Sequence, residues 1–131
     1  MQTSENKSRM KALYAALAEG NARPFLEALH DDVLWTVIGT TRWSGTFRGK
    51  EAVLRELLRP LGERLALPHK VHLRRIVAED DVVVTELRGE STTKEGVPYH
   101  NTYCCVHRLE NGRIRELTEY SDTALMTSVL G

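Results

Sequence analysis

The chain has only two cysteines, and they are neighbours, Cys104 and Cys105. On a strand adjacent side chains point to opposite faces, which argues against a bond between them and suits a reducing compartment. Charge of either sign is not in excess: 18 basic residues face 18 acidic ones, so no overall field draws the chain to a phosphate backbone or an anionic membrane. Long apolar runs are absent, and the opening Met1-Gln-Thr-Ser-Glu-Asn-Lys has nothing like the apolar core of a secretory signal. Nucleic acid and membrane are therefore not expected partners, and the expected location is the cytoplasm. The chain's 131 residues suffice for one domain, residues 1–131, with a core that needs neither disulfide nor metal.

What is present is clear periodicity. Met10, Leu13, Tyr14 and Leu17 recur at helical spacing between Ser4 and Glu19, with Gly20-Asn21 as a stop. Pro24 suits the first turn of a short second helix to Leu29, ended by His30-Asp31-Asp32. Val33 to Ile38 is β-branched and aromatic and reads as a strand, and Gly39 to Gly49 reads as a loop carrying Trp43 and Phe47. Lys50 to Leu65 returns to helical spacing, with Pro60 expected to end or kink it. Four extended segments follow, Lys70–Ala78, Asp81–Ser91, Tyr99–Leu109 and Ile114–Tyr120, joined by short turns including Asn111-Gly112, and Asp122 is placed to cap a tail helix. Helices first and an antiparallel meander after make an α+β layout, in which a curved sheet wraps the N-terminal helices into a cone with an internal pocket.

The stretch Tyr99 to Arg108 carries the chemistry. Period-two alternation puts Tyr99, Asn101, Tyr103, Cys105 and His107 on one face. That face mixes polar and apolar groups, as a ligand cavity does and a plain core does not. Glu119, on the paired strand, is the candidate base, since a carboxylate inside an apolar cone has its pKa raised by desolvation. The structural alternative for it is an ion pair with Arg108 or Arg115. Asn101, Tyr103 and Tyr14 are candidate hydrogen-bonding groups, with Trp35, Val37, Trp43 and Leu87 as apolar wall. Cys105 joins the wall, with a nucleophilic role only if His107 activates it. His69 and His72 begin a strand on opposite faces, so no metal site is expected there.

Tyr14-Ala-Ala-Leu-Ala-Glu-Gly-Asn21, Leu29-His-Asp-Asp-Val33, Trp43-Ser-Gly45, Gly49-Lys-Glu-Ala-Val53, Asn111-Gly-Arg-Ile114 and Glu119-Tyr-Ser-Asp122 together resemble the nuclear transport factor 2-like superfamily over nearly the whole length. Within it the likeness is to SnoaL-like and ketosteroid-isomerase-related proteins. The resemblance implies a cystatin-like cone, a homodimer with a pocket in each subunit, and a small apolar ligand with no cofactor. Against the steroid isomerase pattern Tyr14 falls on the oxyanion tyrosine, while the base position falls on Thr36 and the late-strand acid near Cys105, so that set is incomplete. Against the limonene epoxide hydrolase pattern Glu119 falls on an acid position. The Arg-x-acid positions fall on Leu87 and Gly89, leaving Arg88 and Glu90 one residue out of register unless a bulge near Gly89 re-aims them. Isomerase, cyclase and epoxide-hydrolase-like chemistry centred on Glu119 with Tyr14 all remain open, beside a non-catalytic module whose outer sheet face, His100, Thr102, Cys104 and Val106, meets a twin.

Overall fold

A computed structural model describes residues 2–131. Helix α1 (Gln2–Ala18) and α2 (Arg23–Ala28) lead into β1 (Leu29–Val37) and β2 (Gly45–Arg48). A continuous helical run then comprises α3 (Lys50–Ala52), a π-helical stretch Val53–Leu58 and α4 (Arg59–Arg64). β3 (Leu65–Glu79), β4 (Val82–Thr93), β5 (Pro98–Tyr99), β6 (Thr102–Glu110) and β7 (Arg113–Ser121) follow, and α5 (Thr123–Leu130) closes the described residues. The layout is the α+β cone expected, with helices on the concave face of a strongly curved sheet.

The sheet order is β2-β1-β7-β6-β4-β3, with β5 beside β4. Three details depart from the sequence expectation. The β1–β7 pair is parallel, so the sheet is mixed, because the chain crosses the helices and all other strands before β7 returns beside β1. The segment read as a loop from Gly39 to Gly49 contains β2, whose Thr46 and Phe47 pair with Thr36 and Trp35. Pro60 does not end the helix: the run widens ahead of it, with the Arg59 N–H reaching back to the Leu54 carbonyl, five residues earlier. A wider turn relieves the clash a proline ring makes with the preceding turn.

Two strand ends are set by turn chemistry. Asn111 and Gly112 both have positive φ, 52° and 77°, the conformation a two-residue hairpin demands. At the other end the Asp122 side chain accepts the Leu125 N–H and caps α5, as the sequence predicts. β3 carries two extra residues between Ala66 and Lys70 relative to β4, so Leu67-Pro68-His69 bulges away from the ladder at the open end of the cone. The core is Met10, Leu13, Leu17, Leu29, Val33, Val53, Val83, Leu109, Ile114 and Leu117, all buried, where α1 lies across the sheet.

Candidate functional site

The strand register builds the site in rows. Paired residues share a face, so Thr85, Cys105, Glu119 and Val37 form one row across the concave surface. Val83, His107, Leu117 and Trp35 form the next. Between these rows and the helices lies a cavity of about 300 Å³. Its walls are Phe25, Leu57, Leu58, Leu65, Val71, Met126 and Leu130 together with the predicted Tyr14, Trp35, Val37, Trp43, Leu87, Tyr103, Cys105 and Glu119. Ala22, Gly62 and Leu67 form an exposed rim, and Leu67, 88% exposed on the β3 bulge, marks the mouth.

Glu119 is the acid of this cavity. The ion pairs that the sequence offered it go elsewhere: Arg108 meets Glu116 at 3.1 Å and Asp81 at 3.7 Å, and Arg115 meets Glu110 at 3.3 Å. No cation pairs with Glu119 among the described residues. Its remaining accessible surface faces the cavity. Burial pushes its pKa up to about 7, and the Trp35 indole beside it pulls the other way. The phenols of Tyr14, Tyr99 and Tyr103 and the Cys105 thiol are all pushed upward by burial, so around Glu119 they stay protonated at neutral pH.

Tyr14 lines the cavity, but its proton is already committed. Its hydroxyl lies 2.8 Å from His107 Nε2, and His107 Nδ1 lies 2.9 Å from the Val83 carbonyl. A carbonyl only accepts, so Nδ1 carries the ring proton, Nε2 is bare, and Tyr14 donates to it. Burial lowers the His107 pKa to about 4 and keeps the ring neutral. This corrects the expectation of Tyr14 as an oxyanion donor, and it removes His107 as an activator of Cys105, whose thiol is held in its neutral form.

Asn101 is a second correction. It shares the inner face and is fully buried, yet it does not line the cavity. Its amide donates to the Tyr99 hydroxyl (2.8 Å) and the Asp122 carbonyl (3.1 Å), and its oxygen accepts from Thr102 N (2.7 Å) and Asp122 N (3.1 Å). It fastens the break between β5 and β6 to the start of α5. Tyr103 is at the cavity wall, and Gly89 makes room for it: a Cβ there would stand 3.2 Å from its ring.

Arg88 and Glu90 stay on the outer face, bonded to Thr102 and His72, because the inside-outside alternation of β4 runs unbroken through Gly89. Thr36 is likewise outside, its hydroxyl 3.1 Å from that of Thr46. His69 lines the cavity near its mouth, where its ring meets the Ser91 hydroxyl, while His72 pairs with Glu90 outside. Among the described residues no group of three or more His, Cys, Asp or Glu side chains is placed to hold a metal ion. The Tyr14–His107 bond escaped the sequence reading because 93 residues separate the partners. The Leu57 and Leu58 wall was visible in helical spacing, but nothing local said which cavity it faced.

Fold and cavity together define a cone-shaped α+β protein of the nuclear transport factor 2-like class. The SnoaL-like domain model matches residues 10–117, and the chain belongs to that family. Solved structures agree on the fold. Bal32a, from a soil-derived mobile gene cassette, is 22% identical with a TM-score of 0.80, covering 98% of each chain. A limonene-epoxide-hydrolase-like epoxide hydrolase of M. tuberculosis is 24% identical with a TM-score of 0.74, covering 99% of this chain and 92% of the other. TerC, co-crystallised with polyporic acid, is 20% identical with a TM-score of 0.79, covering 95% and 97%. No curated protein sequence matches the chain.

Proposed function

We propose that the cavity binds a small, largely apolar molecule and that Glu119 moves a proton to or from it, without a cofactor. The observation that carries this is a carboxyl with no cationic partner, facing an otherwise apolar cavity, with a pKa near 7 that suits exchange of a proton at neutral pH. Tyr103 supplies a hydroxyl at the wall, and Trp43 and Leu87 supply flat apolar surface. Co-crystallisation of TerC with polyporic acid supports a ligand site in this fold. Isomerase- or cyclase-like proton transfer fits better than epoxide opening, because Arg88 and Glu90 lie on the wrong face to assist it. The test is deuterium uptake from D2O into 2-tetralone, an enolisable ring ketone. The protein should accelerate uptake increasingly as pH rises through 7, and Glu119→Gln should lose about 10²- to 10⁴-fold of the acceleration. An unchanged rate in Glu119→Gln ends the assignment.

A second reading, compatible with the first, is a homodimer through the outer sheet face. Val77, Val84, Val106, Thr118, Thr36 and Thr46 form an uncharged row across six strands, next to Cys104 and a Tyr120 that is 46% exposed. Sedimentation of the Val106→Glu protein as a monomer, against a wild-type dimer, is the expected result. We place the protein in the cytoplasm, where the two free thiols on opposite faces stay reduced.

A further inference from the structure

The donors around the cavity can be matched to acceptors one at a time, and away from the mouth they are taken. Tyr14 donates to His107, the Trp43 indole donates to the Gly131 carbonyl at 3.1 Å, and the Trp35 indole stands against Glu119. The mouth end differs. Leu87, Gly89 and Ser91 follow Thr85 along the inner face of β4, leading away from the row that holds Glu119. Over them stand Tyr103, Tyr99 and His69, all three of which line the cavity.

His69 presents one unspent donor. Ser91 is 3% exposed, and the partner of its hydroxyl is His69 Nδ1. Were Nδ1 to carry the ring proton, the Ser91 proton would be buried without an acceptor, whereas with Ser91 donating both groups are satisfied. Burial lowers the His69 pKa, so the ring is neutral at neutral pH and its proton sits on Nε2. Nε2 keeps accessible surface at the mouth, and no described residue accepts from it. The tyrosines present a second donor. Asn101 Oδ1 accepts from two backbone N–H groups, which fixes the amide, and Nδ2 then donates to the Tyr99 hydroxyl at 2.8 Å. The Tyr99 and Tyr103 hydroxyls bond to each other, so one phenolic proton is used between them and the other is left. Gly89 keeps the space open: a Cβ there would stand 3.2 Å from the Tyr103 ring and 3.6 Å from its hydroxyl.

We propose that His69 Nε2–H and the spare phenolic proton of the Tyr99–Tyr103 pair form a second polar subsite at the mouth of the cavity, which holds an uncharged carbonyl oxygen at the end of the ligand remote from Glu119. Two donors match the two lone pairs of a carbonyl oxygen. No lysine or arginine lines the cavity, so an anionic group there would lack a counter-charge. The ligand is thus an apolar body with one end toward Glu119 and a carbonyl at the other. His69 and the two phenols determine specificity. Ser91 does not line the cavity and is a positioning residue that sets the His69 tautomer. The subsite rests on the reading of the cavity as a site for an apolar ligand, and not on proton transfer by Glu119.

The test compares acetophenone with ethylbenzene, the same skeleton without the oxygen, at pH 8, where Glu119 is mostly ionised and cannot donate to a ketone. In long-range 15N–1H spectra of the full chain, His69 should carry its proton on Nε2, and the Nε2 resonance should move with acetophenone and not with ethylbenzene. His69→Phe should weaken acetophenone binding roughly 2- to 12-fold, the worth of one neutral hydrogen bond, without weakening ethylbenzene. The Tyr99→Phe/Tyr103→Phe double variant should do the same. Ser91→Ala should turn His69 into a mixture of tautomers, with a smaller loss of acetophenone affinity. If the variants do not fold, the wild-type titration decides. The proposal is overturned if His69 carries its proton on Nδ1, if His69→Phe binds acetophenone as tightly, or if it loses both probes equally, which would make His69 packing alone. Selective loss of acetophenone in His69→Phe without Glu119-dependent deuterium uptake upholds the subsite and removes the proton transfer. Failure of both probes to perturb any cavity signal at millimolar concentration overturns the subsite and the ligand reading together.

Discussion

Glu119 and His107 lie on adjacent strands and adjacent rows of the same concave surface, both enclosed by the fold, and burial has opposite consequences for them. His107 has a partner at each nitrogen, Tyr14 at 2.8 Å and Val83 at 2.9 Å, and its pKa falls to about 4. Glu119 has no cation, and its pKa rises to about 7. Both neutral forms are favoured, as desolvation requires. The difference lies in the hydrogen bonds: His107 is saturated from within, whereas Glu119, with the Trp35 indole beside it and no cation, has capacity left for something in the cavity. Burial alone does not mark a site; burial with unused capacity does.

The sharpest way to break that comparison is to follow stability against pH. For Glu119 the folded pKa is raised from 4.5, so its contribution is fully present below pH 4.5 and is lost as pH rises through about 7. For His107 the folded pKa is depressed from 6.5, so its contribution is present above pH 6.5 and is lost as pH falls through about 4. Each effect is on the order of 3 kcal/mol, and between pH 4.5 and 6.5 the two oppose. Urea unfolding of the wild type should therefore vary little across that window. Glu119→Gln should lose stability toward acid. His107→Gln, which can still accept from Tyr14 and donate to Val83, should lose it toward neutral pH. His69, also lowered by burial, adds a smaller slope of the His107 sign to all three proteins. Parallel profiles for the two variants would refute the opposed-charge account.

How much of this was legible in the sequence follows from the range of each interaction. The helices, the strand faces and the Asp122 cap are local, set by spacing and by one or two residues, and the sequence reading places them within a few positions. The inner face of β6 was legible for the same reason. Its division into cavity wall and internal staple was not, because Asn101 owes its role to Asp122, 21 residues on, and Tyr14 owes its role to His107, 93 residues on. β2 was hidden by its glycine and threonine content, which reads as loop until β1 supplies a partner. Trp35 was legible as wall, and its place beside Glu119 was not, since that depends on the pairing of β1 with β7.

Asn101 extends the comparison to a saturated group that does not titrate. Asn101→Ala leaves the Asp122 N–H without its acceptor and takes from the Asp122 C=O one of its two donors, the other being Met126 N–H, and the cost should be about 2 kcal/mol in urea unfolding, with faster amide exchange across Thr123 to Leu125. Asp122→Ala removes one exposed cap to Leu125 N and should cost about 1 kcal/mol. The two act on one residue from two sides, its backbone held by Asn101 and its side chain holding α5. The cap works only while the backbone of Asp122 is positioned, so in the double variant the second substitution should cost less than it does alone. Strict additivity would mean that Asn101 does not position the cap and that its bonds serve the β5–β6 break alone.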